Sequence, residues 1–244
     1  MSLAGQTAVV TGGAIRLGRA FALALAEAGA NVVIHYGTSV EEAEETAQLI
    51  RSQGRDCWTC SADLRDPVTG TKELFQFIKE EIGPVSILVN SAAIFDPARF
   101  LDTDAELFDR TIDINFKAPF FLSRQFVNQL PEDVRGQIIN IVDWRAERID
   151  RRYLIYSLAK NSLLELTKAL ALELAPRVRV NGIAPGAILP PPGEDDFPKG
   201  KTDEIPLRHT GGPDDLVRAM RYLLESEFVT GEIMHVTGGE HLIQ

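Results

Sequence analysis

The sequence predicts an α/β fold: one doubly wound sheet of about seven parallel strands, with helices on both of its faces. Short apolar runs alternate with longer helix-like stretches along the whole chain, and this alternation is typical of parallel sheets joined by crossover helices. Right-handed crossovers restrict the topology to a Rossmann-like arrangement. No internal repeat and no low-complexity linker divides the 244 residues, so we expect a single domain over 1–244.

Seven strand-like runs alternate with six helix-like stretches. The strands are predicted, in order, at Ala8–Thr11, Asn31–Tyr36, Asp56–Ser61, Ser86–Asn90, Gln137–Val142, Arg177–Asn181 and Ile233–Val236. The helices are predicted at 16–29, 40–53, 67–82, 103–129, 152–174 and 213–225.

The first strand runs into a glycine-rich turn and then a helix. Gly12, Gly13 and Gly18 permit tight backbone conformations and the close approach of a phosphate. The start of the helix offers free N–H groups and the positive end of its dipole to a pyrophosphate. The spacing is not G-x-G-x-x-G, since Arg16 stands where a third glycine is expected. The turn predicts a dinucleotide site, with a tight structural turn as the alternative.

The end of the second strand favours a cofactor with a 2′-phosphate. Sheets that prefer NAD usually place Asp or Glu there to bond the ribose hydroxyls. This chain reads His35–Ser39, with no acid before Glu41. Arg16 can pair with a 2′-phosphate, and Thr38 and Ser39 can donate hydrogen bonds to it. The sequence therefore predicts NADPH; a solvated surface arginine is the alternative for Arg16.

Composition and charge argue against several classes of partner. The net charge of -10 argues against nucleic acid as the main ligand. No stretch approaches the ~20 apolar residues of a membrane span, and no secretory signal is visible at the start of the sequence. We therefore expect a cytoplasmic protein that binds no membrane.

The two cysteines, Cys57 and Cys60, match a C-x-x-C pattern on a predicted strand. Positions three apart on a strand face opposite sides and lie ~10 Å apart, beyond the reach of a disulfide. No second pair of Cys or His stands nearby to complete a zinc site. We expect neither a disulfide nor a metal.

One irregular stretch, Ile188–Pro206, interrupts the alternation with five prolines and several charges. A loop of this length in a compact domain is usually functional or mobile. Because it follows a strand, and ligands bind outside the carboxyl ends of such strands, we predict a substrate lid at about 187–208. A passive surface loop is the alternative.

Tyr156 and Lys160 lie four residues apart on a predicted helix, and Asp143 precedes the tyrosine by 13 residues. Positions i and i+4 share a helix face, so phenol and ammonium can point into one pocket. A nearby cation lowers the pKa of a phenol from ~10 toward neutrality, which lets it exchange a proton with a substrate. Tyr153 is a rival phenol, but Lys160 lies seven residues beyond it, too far for direct pairing.

Six ordered motifs resemble the short-chain dehydrogenase/reductase family over essentially the whole chain: Thr11–Gly18, Asp63, Asn90–Ala93, Asn115, Tyr156–Lys160 and Asn181–Gly186. The resemblance implies catalytic roles for Asp143, Tyr156, Lys160 and Asn115. In these roles Lys160 bonds the nicotinamide ribose and Asn115 holds a water that links Lys160 to solvent. The implied cofactor-binding residues are Gly12, Arg16, Leu17, Gly18, His35, Tyr36, Thr38, Ser39, Asp63, Leu64, Asn90, Ala92, Tyr156, Lys160, Pro185, Gly186 and Ile188.

Asp143 stands where most of that family has serine, a departure that resembles one branch, the pteridine reductases and the bacterial dihydromonapterin reductases. Arg16, His35-Tyr36 and Phe95 are also similar to that branch, in which an aromatic side chain stacks on the pterin. A serine donates a neutral hydrogen bond to a carbonyl oxygen. An aspartate accepts from a ring N–H or amino group or, when protonated, donates a proton.

The resemblance thus implies an NADPH-dependent reductase of a dihydropterin, with Asp143 and Tyr156 as the proton-relay pair and Phe95, Asp143 and Tyr156 as substrate-binding residues. The alternative for Asp143 is a capping or salt-bridging carboxylate beside Arg145 or Arg148, and the alternative for Phe95 is core packing. The alternatives for the whole chain are a carbonyl reductase, such as a 3-oxoacyl reductase, and a catalytically silent dinucleotide-binding protein. The family resemblance also implies a homotetramer.

Overall fold

The computed structural model describes residues 2–191, 193–197 and 199–243. Its strands are β1 (Thr7–Thr11), β2 (Asn31–Tyr36), β3 (Cys57–Ser61), β4 (Ile87–Asn90), β5 (Gly136–Ile141), β6 (Val178–Pro185) and β7 (Ile233–Val236). They form one sheet in the order β3-β2-β1-β4-β5-β6-β7, and every neighbouring pair is parallel. The chain winds outward from β1 in one direction and from β4 in the other, which confirms the predicted doubly wound topology.

Helices cover both faces of the sheet. They are α1 (Arg16–Glu27), α2 (Val40–Ser52), α3 (Pro67–Glu81), α4 (Ala105–Ile112), α5 (Ala118–Gln129), α6 (Leu154–Leu174) and α7 (Pro213–Glu225). The first, second and seventh helices pack on one face, and the third, fifth and sixth pack on the other. Neighbouring strand residues such as Val9 and Val10 enter opposite cores. The strands are therefore apolar on both sides and appear as unbroken apolar runs in the sequence.

The helix predicted at 103–129 is confirmed from Ala105 to Gln129, where the chain is helical throughout, but its winding changes in the middle. The structure has α4, a π-helical turn at Asp113–Lys117, and then α5. The turn carries Asn115, whose side chain is fully buried. Single π-helical turns inside α-helices are frequent at functional sites.

Strand β6 extends beyond the predicted Arg177–Asn181. Its pairing with β7 continues from Gly182 to Pro185, and this pairing keeps the chain extended past the end of its apolar run. The remaining strands and helices lie within two residues of their predicted ends. The extension brings Pro185 and then Gly186 to the carboxyl edge of the sheet.

Cys57 is buried and Cys60 is half-buried, and both are free thiols. Burial raises the pKa of Cys57 to about 12 and that of Cys60 to about 11, so neither is a reactive thiolate near neutral pH. In the part of the chain that the structure describes, no group of three or more His, Cys, Asp or Glu could hold a metal. No helix there is long and apolar enough to cross a membrane.

The predicted lid at 187–208 leaves the end of β6, and two of its prolines, Pro192 and Pro198, lie outside the described residues. Lys201 in this segment pairs with the carboxylate of Glu240. That carboxylate is buried close to the C-terminus of the chain. The ion pair fastens the segment to the elements that follow β7.

Candidate active site

The glycine turn after β1 packs too tightly to admit side chains. Gly12 has φ 62, and a Cβ there would lie 3.0 Å from the Cα of Ala92. A Cβ on Gly18 would lie 2.0 Å from the carbonyl oxygen of Gly12. From the strand side, the Thr11 hydroxyl oxygen accepts hydrogen bonds from the N–H groups of Ser91 and Ala92, at 3.0 and 3.1 Å. The turn thus brings bare backbone to the start of α1, as a pyrophosphate site requires.

His35 supports this turn from behind. Its ring is buried, its Nδ1 accepts a hydrogen bond from the N–H of Gly12 at 3.3 Å, and its Nε2 lies 3.0 Å from the carbonyl oxygen of Ala62. An accepting Nδ1 and a donating Nε2 require the neutral imidazole, and burial lowers the pKa of the ring. Both ring nitrogens of this predicted cofactor residue are therefore engaged within the protein. Tyr36 is half-buried and Thr38 exposed at the end of the same strand.

Arg16 begins α1 with φ 51, in the left-handed region that favours glycine. Its Nη2 donates to the carbonyl oxygen of Pro190 at 2.6 Å, so the side chain joins the turn to the segment predicted as a lid. Leu17 follows it and packs half-buried against the core. Ser39, the N-cap of α2, is half-buried in the short connection between β2 and α2.

Asp63 and Leu64 follow β3 and have different surroundings. Asp63 is exposed, and Arg65 donates to both of its oxygens, with Nη2 at 2.7 Å from Oδ2. These hydrogen bonds lower the pKa of the Asp63 carboxyl. Leu64 is buried in the core. Asp63 is thus an ionised acceptor at the carboxyl edge, whereas Leu64 contributes packing.

Asn90 ends β4 and begins a chain of buried hydrogen bonds that sequence reasoning missed. Its Nδ2 donates to Asn140 Oδ1 at 2.8 Å, and Asn140 Nδ2 donates to Thr167 Oγ1 at 2.8 Å. All three side chains are buried. Asn90 Oδ1 has no partner among the described residues, so it remains an acceptor at the edge of the site. The polar Asn140 within an apolar strand-like run was the available signal.

Asn115 presents a second unpaired acceptor. From the π-helical turn, its Nδ2 donates to the carbonyl oxygens of Ile94 and Thr111, at 3.1 and 3.0 Å. Its Oδ1 has no partner within the described residues. A buried amide oxygen of this kind accepts from a water or an ammonium group.

Asp143, Tyr156 and Lys160 meet at the end of β5. The Tyr156 hydroxyl donates to Asp143 Oδ2 at 3.1 Å. The other carboxylate oxygen, Oδ1, accepts from the backbone N–H of Arg145 at 2.8 Å and lies 3.3 Å from its Nη1. Lys160 is buried, and its Nζ donates to the carbonyl oxygen of Ile141 at 2.8 Å. Asp143 thus has the capping and salt-bridging contacts weighed as its alternative and the contact with Tyr156 as well.

The pKa values differ from the sequence prediction. Burial and the neighbouring Asp143 raise the pKa of Tyr156 well above its ordinary value, although Arg145 acts in the opposite direction. Burial lowers the pKa of Lys160 to about 8. The prediction that Lys160 brings the Tyr156 pKa toward neutrality is therefore wrong for this structure, because desolvation of the phenolate and the Asp143 carboxylate together outweigh the opposing Arg145 cation.

Phe95 lies beside the pair, half-buried after β4. Its ring is parallel to that of Tyr153, with centroids 4.1 Å apart and 6° between the planes. It meets Tyr156 edge-on at 4.7 Å, and the Arg145 guanidinium carbon lies 5.2 Å from its centroid. The structure thus adds Tyr153 and Arg145 to the predicted site residues.

Pro185, the last residue of β6, and the residues after it were also predicted to bind the cofactor. The Gly186 N–H donates to the carbonyl oxygen of Val236 at 2.9 Å, and a Cβ on Gly186 would lie 2.7 Å from the Cα of Thr237. Pro185 and Ile188 on either side of it are buried. This edge is therefore packed against the C-terminal segment.

This chain is similar to known proteins over nearly its whole length. The family model for enoyl-(acyl carrier protein) reductase matches residues 13–241. A short-chain type dehydrogenase/reductase of Picea abies is 31% identical, over 98% of this chain and 93% of that protein. This chain belongs to the short-chain dehydrogenase/reductase family.

Two similar members of the family carry different names. The FolM alternative dihydrofolate reductase 1 of Brucella canis, crystallised with NADP, is 35% identical with a TM-score of 0.91, over 100% of this chain and 97% of that one. The 3-oxoacyl-[acyl-carrier-protein] reductase FabG of Staphylococcus epidermidis is 30% identical, over 97% of this chain and 99% of that protein. The chain is therefore an oxidoreductase of a family whose members differ in substrate.

The carboxyl edge fits the dinucleotide that a short-chain dehydrogenase/reductase fold implies. Gly12 and Gly18 let the backbone of the turn pack closely against the start of α1, where a Cβ would collide with neighbouring backbone atoms. Two buried acceptors, Asn90 Oδ1 and Asn115 Oδ1, lack partners among the described residues. No acidic residue follows β2 before Glu41 in α2.

Proposed function

We propose that this chain is an NADPH-dependent reductase that converts a dihydropterin to its tetrahydro form. The observation that carries the proposal is the 3.1 Å hydrogen bond from the Tyr156 hydroxyl to Asp143 Oδ2. A carboxylate in this place can also accept a hydrogen bond from a ring N–H or amino group of a pterin. The similarity to the Brucella canis protein, named an alternative dihydrofolate reductase, supports the same substrate class.

The cofactor in this proposal lies at the glycine turn. Gly12 and Gly18 keep the turn free of side chains, so that its backbone N–H groups and the start of α1 can meet the pyrophosphate, and Arg16, Thr38 and Ser39 offer donors to a 2′-phosphate. The NADP in the crystal structure of the Brucella canis relative supports this assignment. When bound, the nicotinamide supplies the hydride for the reduction.

Gly18→Ala is expected to weaken NADPH binding at least ~10-fold and to destabilise the protein by about 3 kcal/mol, because the new methyl group meets the Gly12 carbonyl group. Fluorescence titration with NADPH and thermal unfolding measure the two effects. Gly212→Ala is the matched control, since a Cβ there meets nothing within 4 Å. Wild-type affinity for NADPH in a folded Gly18→Ala protein would contradict the role of the turn.

Reduction of a C=N bond adds one hydride to carbon and one proton to nitrogen, and the chain supplies the proton. Asp143 and Tyr156 share a hydrogen bond, so a proton given to the substrate nitrogen leaves the pair one proton short. Lys160, whose pKa is about 8, can gain and lose a proton near neutral pH. Asn115 Oδ1 offers a buried acceptor for a water that returns the proton from solvent.

Phe95 is assigned to the flat substrate ring. It lies edge-on to Tyr156 at 4.7 Å, so a ring stacked on it lies close to the proton donor. Tyr153 stacks on one of its faces, and in this proposal the pterin stacks on the other. An offset aromatic stack contributes about 0.5–1.5 kcal/mol beyond the buried area.

A carbonyl reductase is the second candidate, favoured by the similarity to FabG of Staphylococcus epidermidis. In that case Tyr156 gives its proton to a ketone oxygen, and Asp143 is not needed as an acceptor for substrate nitrogen. The two candidates therefore differ in what they require of Asp143.

Asp143→Ser is expected to lower kcat/KM for a dihydropterin about 100-fold, because the ring nitrogen loses its acceptor and the relay loses a carboxylate. Activity on ketones is expected to persist or rise. NADPH oxidation is measured with a dihydropterin panel and a ketone panel, on wild type, Asp143→Ser and the exposed control Asp133→Ser. If the wild type reduces ketones but no dihydropterin, the proposed pterin substrate is wrong and the carbonyl reductase is the remaining candidate.

We also propose that the protein acts as a homotetramer in the cytoplasm. Helices α5 and α6 carry large exposed apolar side chains, including Phe120, Leu158 and Leu172, and Leu172 is 86% exposed. Burying such side chains between copies of the chain is favourable. The free thiols of Cys57 and Cys60 are usual in a reducing compartment.

A further inference from the structure

Arg145 is the cation that lies against the Asp143 carboxylate. Its Nη1 lies 3.3 Å from Asp143 Oδ1, and its backbone N–H donates to that same oxygen at 2.8 Å. The Tyr156 hydroxyl takes the other oxygen. Arg145 therefore holds one carboxylate oxygen, through its side chain and its backbone N–H, while the phenol holds the other.

The guanidinium of Arg145 is itself held in place. Its carbon lies 4.7 Å from the ring centroid of Trp144, 5.2 Å from that of Phe95 and 5.5 Å from that of Tyr153. Its Nε lies 3.7 Å from Asp150 Oδ2, and 17% of the side chain is exposed. Aromatic faces attract a weakly hydrated guanidinium. Enclosure by three rings and two carboxylates leaves its charge in a fixed position before any reaction begins.

We propose that Arg145 is a positioning residue for the proton donor: it orients Asp143 and offsets the negative charge that forms when Tyr156 gives up its proton. The inference rests on the proposed function in requiring proton transfer from Tyr156, and it holds for a pterin or a ketone. Once the proton moves to the substrate, a phenolate and a carboxylate remain in hydrogen-bond range of each other. Like charges this close repel strongly unless a cation compensates them.

The charged groups around Tyr156 leave this role to Arg145. Asp143 raises the pKa of the phenol and Arg145 lowers it. The Nζ of Lys160 lies 5.8 Å from the Tyr156 ring centroid and donates to a backbone carbonyl oxygen in β5. Tyr153, a further phenol that stacks on Phe95, presents its ring to the guanidinium. The positive charge of Arg145 therefore acts on Tyr156 across the Asp143 carboxylate, which contacts both side chains.

Arg145→Met, Arg145→Lys and Arg152→Met separate this role from a merely structural one. Arg152 is the matched control, since it pairs with Asp150 at 3.0 Å and its side chain is 70% exposed. Arg145→Met is expected to lower kcat at least ~10-fold with little change in KM. It is also expected to raise, by about one pH unit, the basic limb of kcat/KM that the Tyr156 phenol sets, which lies above the limb set by Lys160 near pH 8. Arg145→Lys restores the limb and part of kcat, and Arg152→Met matches wild type.

A second measurement needs no turnover. The chain has four tyrosines, so 3-fluorotyrosine labelling gives few fluorine-19 resonances, and Tyr156→Phe assigns the one that matters. The Tyr156 titration is expected at higher pH in Arg145→Met than in wild type. An unmoved titration and an unmoved limb in folded Arg145→Met would overturn the proposal. Should that variant fail to fold, a limb that moves upward in Arg145→Lys despite the retained charge overturns it equally.

The failures of the two proposals are distinguishable. If wild type reduces ketones and no dihydropterin, the proposed substrate is wrong, and the limb shift of Arg145→Met is still measured on the ketone. If dihydropterins are reduced and the limb does not move, the assignment of Arg145 is wrong and the proposed function stands.

Discussion

Tyr156→Phe is expected to lower kcat/KM about 1000-fold for whichever substrate the wild type reduces, within the range that a positioned general acid contributes. The change removes one oxygen atom, the one that donates to Asp143 at 3.1 Å. The ring remains, and with it the edge-on contact with Phe95 at 4.7 Å. KM is therefore expected to change little, so that the loss appears in kcat. Steady-state NADPH oxidation measures both constants.

Two further phenols provide controls for this loss. Tyr222→Phe on α7 is 51% exposed and is expected to behave as wild type. Tyr153→Phe keeps its ring stacked on Phe95 and is expected to lose only a few-fold. Wild-type turnover by Tyr156→Phe would remove the phenol from the mechanism, and a large loss in Tyr153→Phe alone would transfer the role to the rival tyrosine. If the wild type turns over none of the substrates, the remaining hypothesis is a catalytically silent dinucleotide-binding protein.

Much of the fold was predictable because it follows from local patterns. Strands buried on both faces appear as unbroken apolar runs, and the predicted bounds of Asn31–Tyr36, Ile233–Val236 and the helix at 213–225 agree with the structure. The π-helical turn between α4 and α5 was not predictable in this way. The π-helical turn there is stabilised by the non-local hydrogen bond from Asn115 to the Ile94 carbonyl oxygen. The residues of 103–129 alone do not indicate that Asn115 will bond the Ile94 carbonyl group.

The candidate site was predictable in its members more than in its electrostatics. Asp143 and Tyr156, 13 residues apart, were predicted to act as a pair, and their side chains lie in hydrogen-bond contact. The direction of the Tyr156 pKa shift was wrong, because the sequence does not show that the phenol and Lys160 are both buried. Desolvation penalises the phenolate of Tyr156 and the ammonium of Lys160, so it raises the pKa of Tyr156 and lowers that of Lys160.

Asn90, Asn140 and Thr167 show a second limit of sequence reasoning. Their hydrogen bonds join two strands and helix α6 through the core. Each residue alone is an ordinary polar residue, and the chain of contacts forms only when the sheet brings the two asparagines together in register. A buried network of this kind fixes the strand ends on which the site is built.

Lys160→Met is expected to abolish most of the activity and, in the absence of cofactor, to stabilise the protein at pH 7. Burial holds the pKa of Lys160 at about 8, whereas an exposed lysine in the unfolded chain titrates near ~10.4. The unfolded chain therefore binds the proton more tightly, and the charged lysine lowers the free energy of unfolding by about 3 kcal/mol at pH 7. Loss of its hydrogen bond to the Ile141 carbonyl oxygen costs about 1 kcal/mol in return.

The pH dependence gives this prediction its sign. Because the folded pKa is the lower one, the destabilisation is fully present below pH 8 and fades as pH rises toward the unfolded pKa. The advantage of Lys160→Met is thus expected to be about 2 kcal/mol at pH 7 and to shrink at higher pH. Denaturant unfolding at several pH values measures it. Lys168→Met is the control. Lys168 lies on the same helix, and its exposed side chain pairs with Glu165 at 3.0 Å. This change is expected to alter stability by less than ~0.5 kcal/mol.

A pH-independent loss of stability in Lys160→Met would contradict a desolvated ammonium at this position. The expected opposite result, a gain in stability together with a loss of turnover, has a direct physical meaning. Lys160 is fully enclosed and its ammonium has one hydrogen-bond acceptor in β5, so the folded protein maintains a charge that its own core disfavours. Such a charge is retained where function requires it, and the same burial that destabilises the fold brings the Lys160 pKa into the range where the group can relay protons.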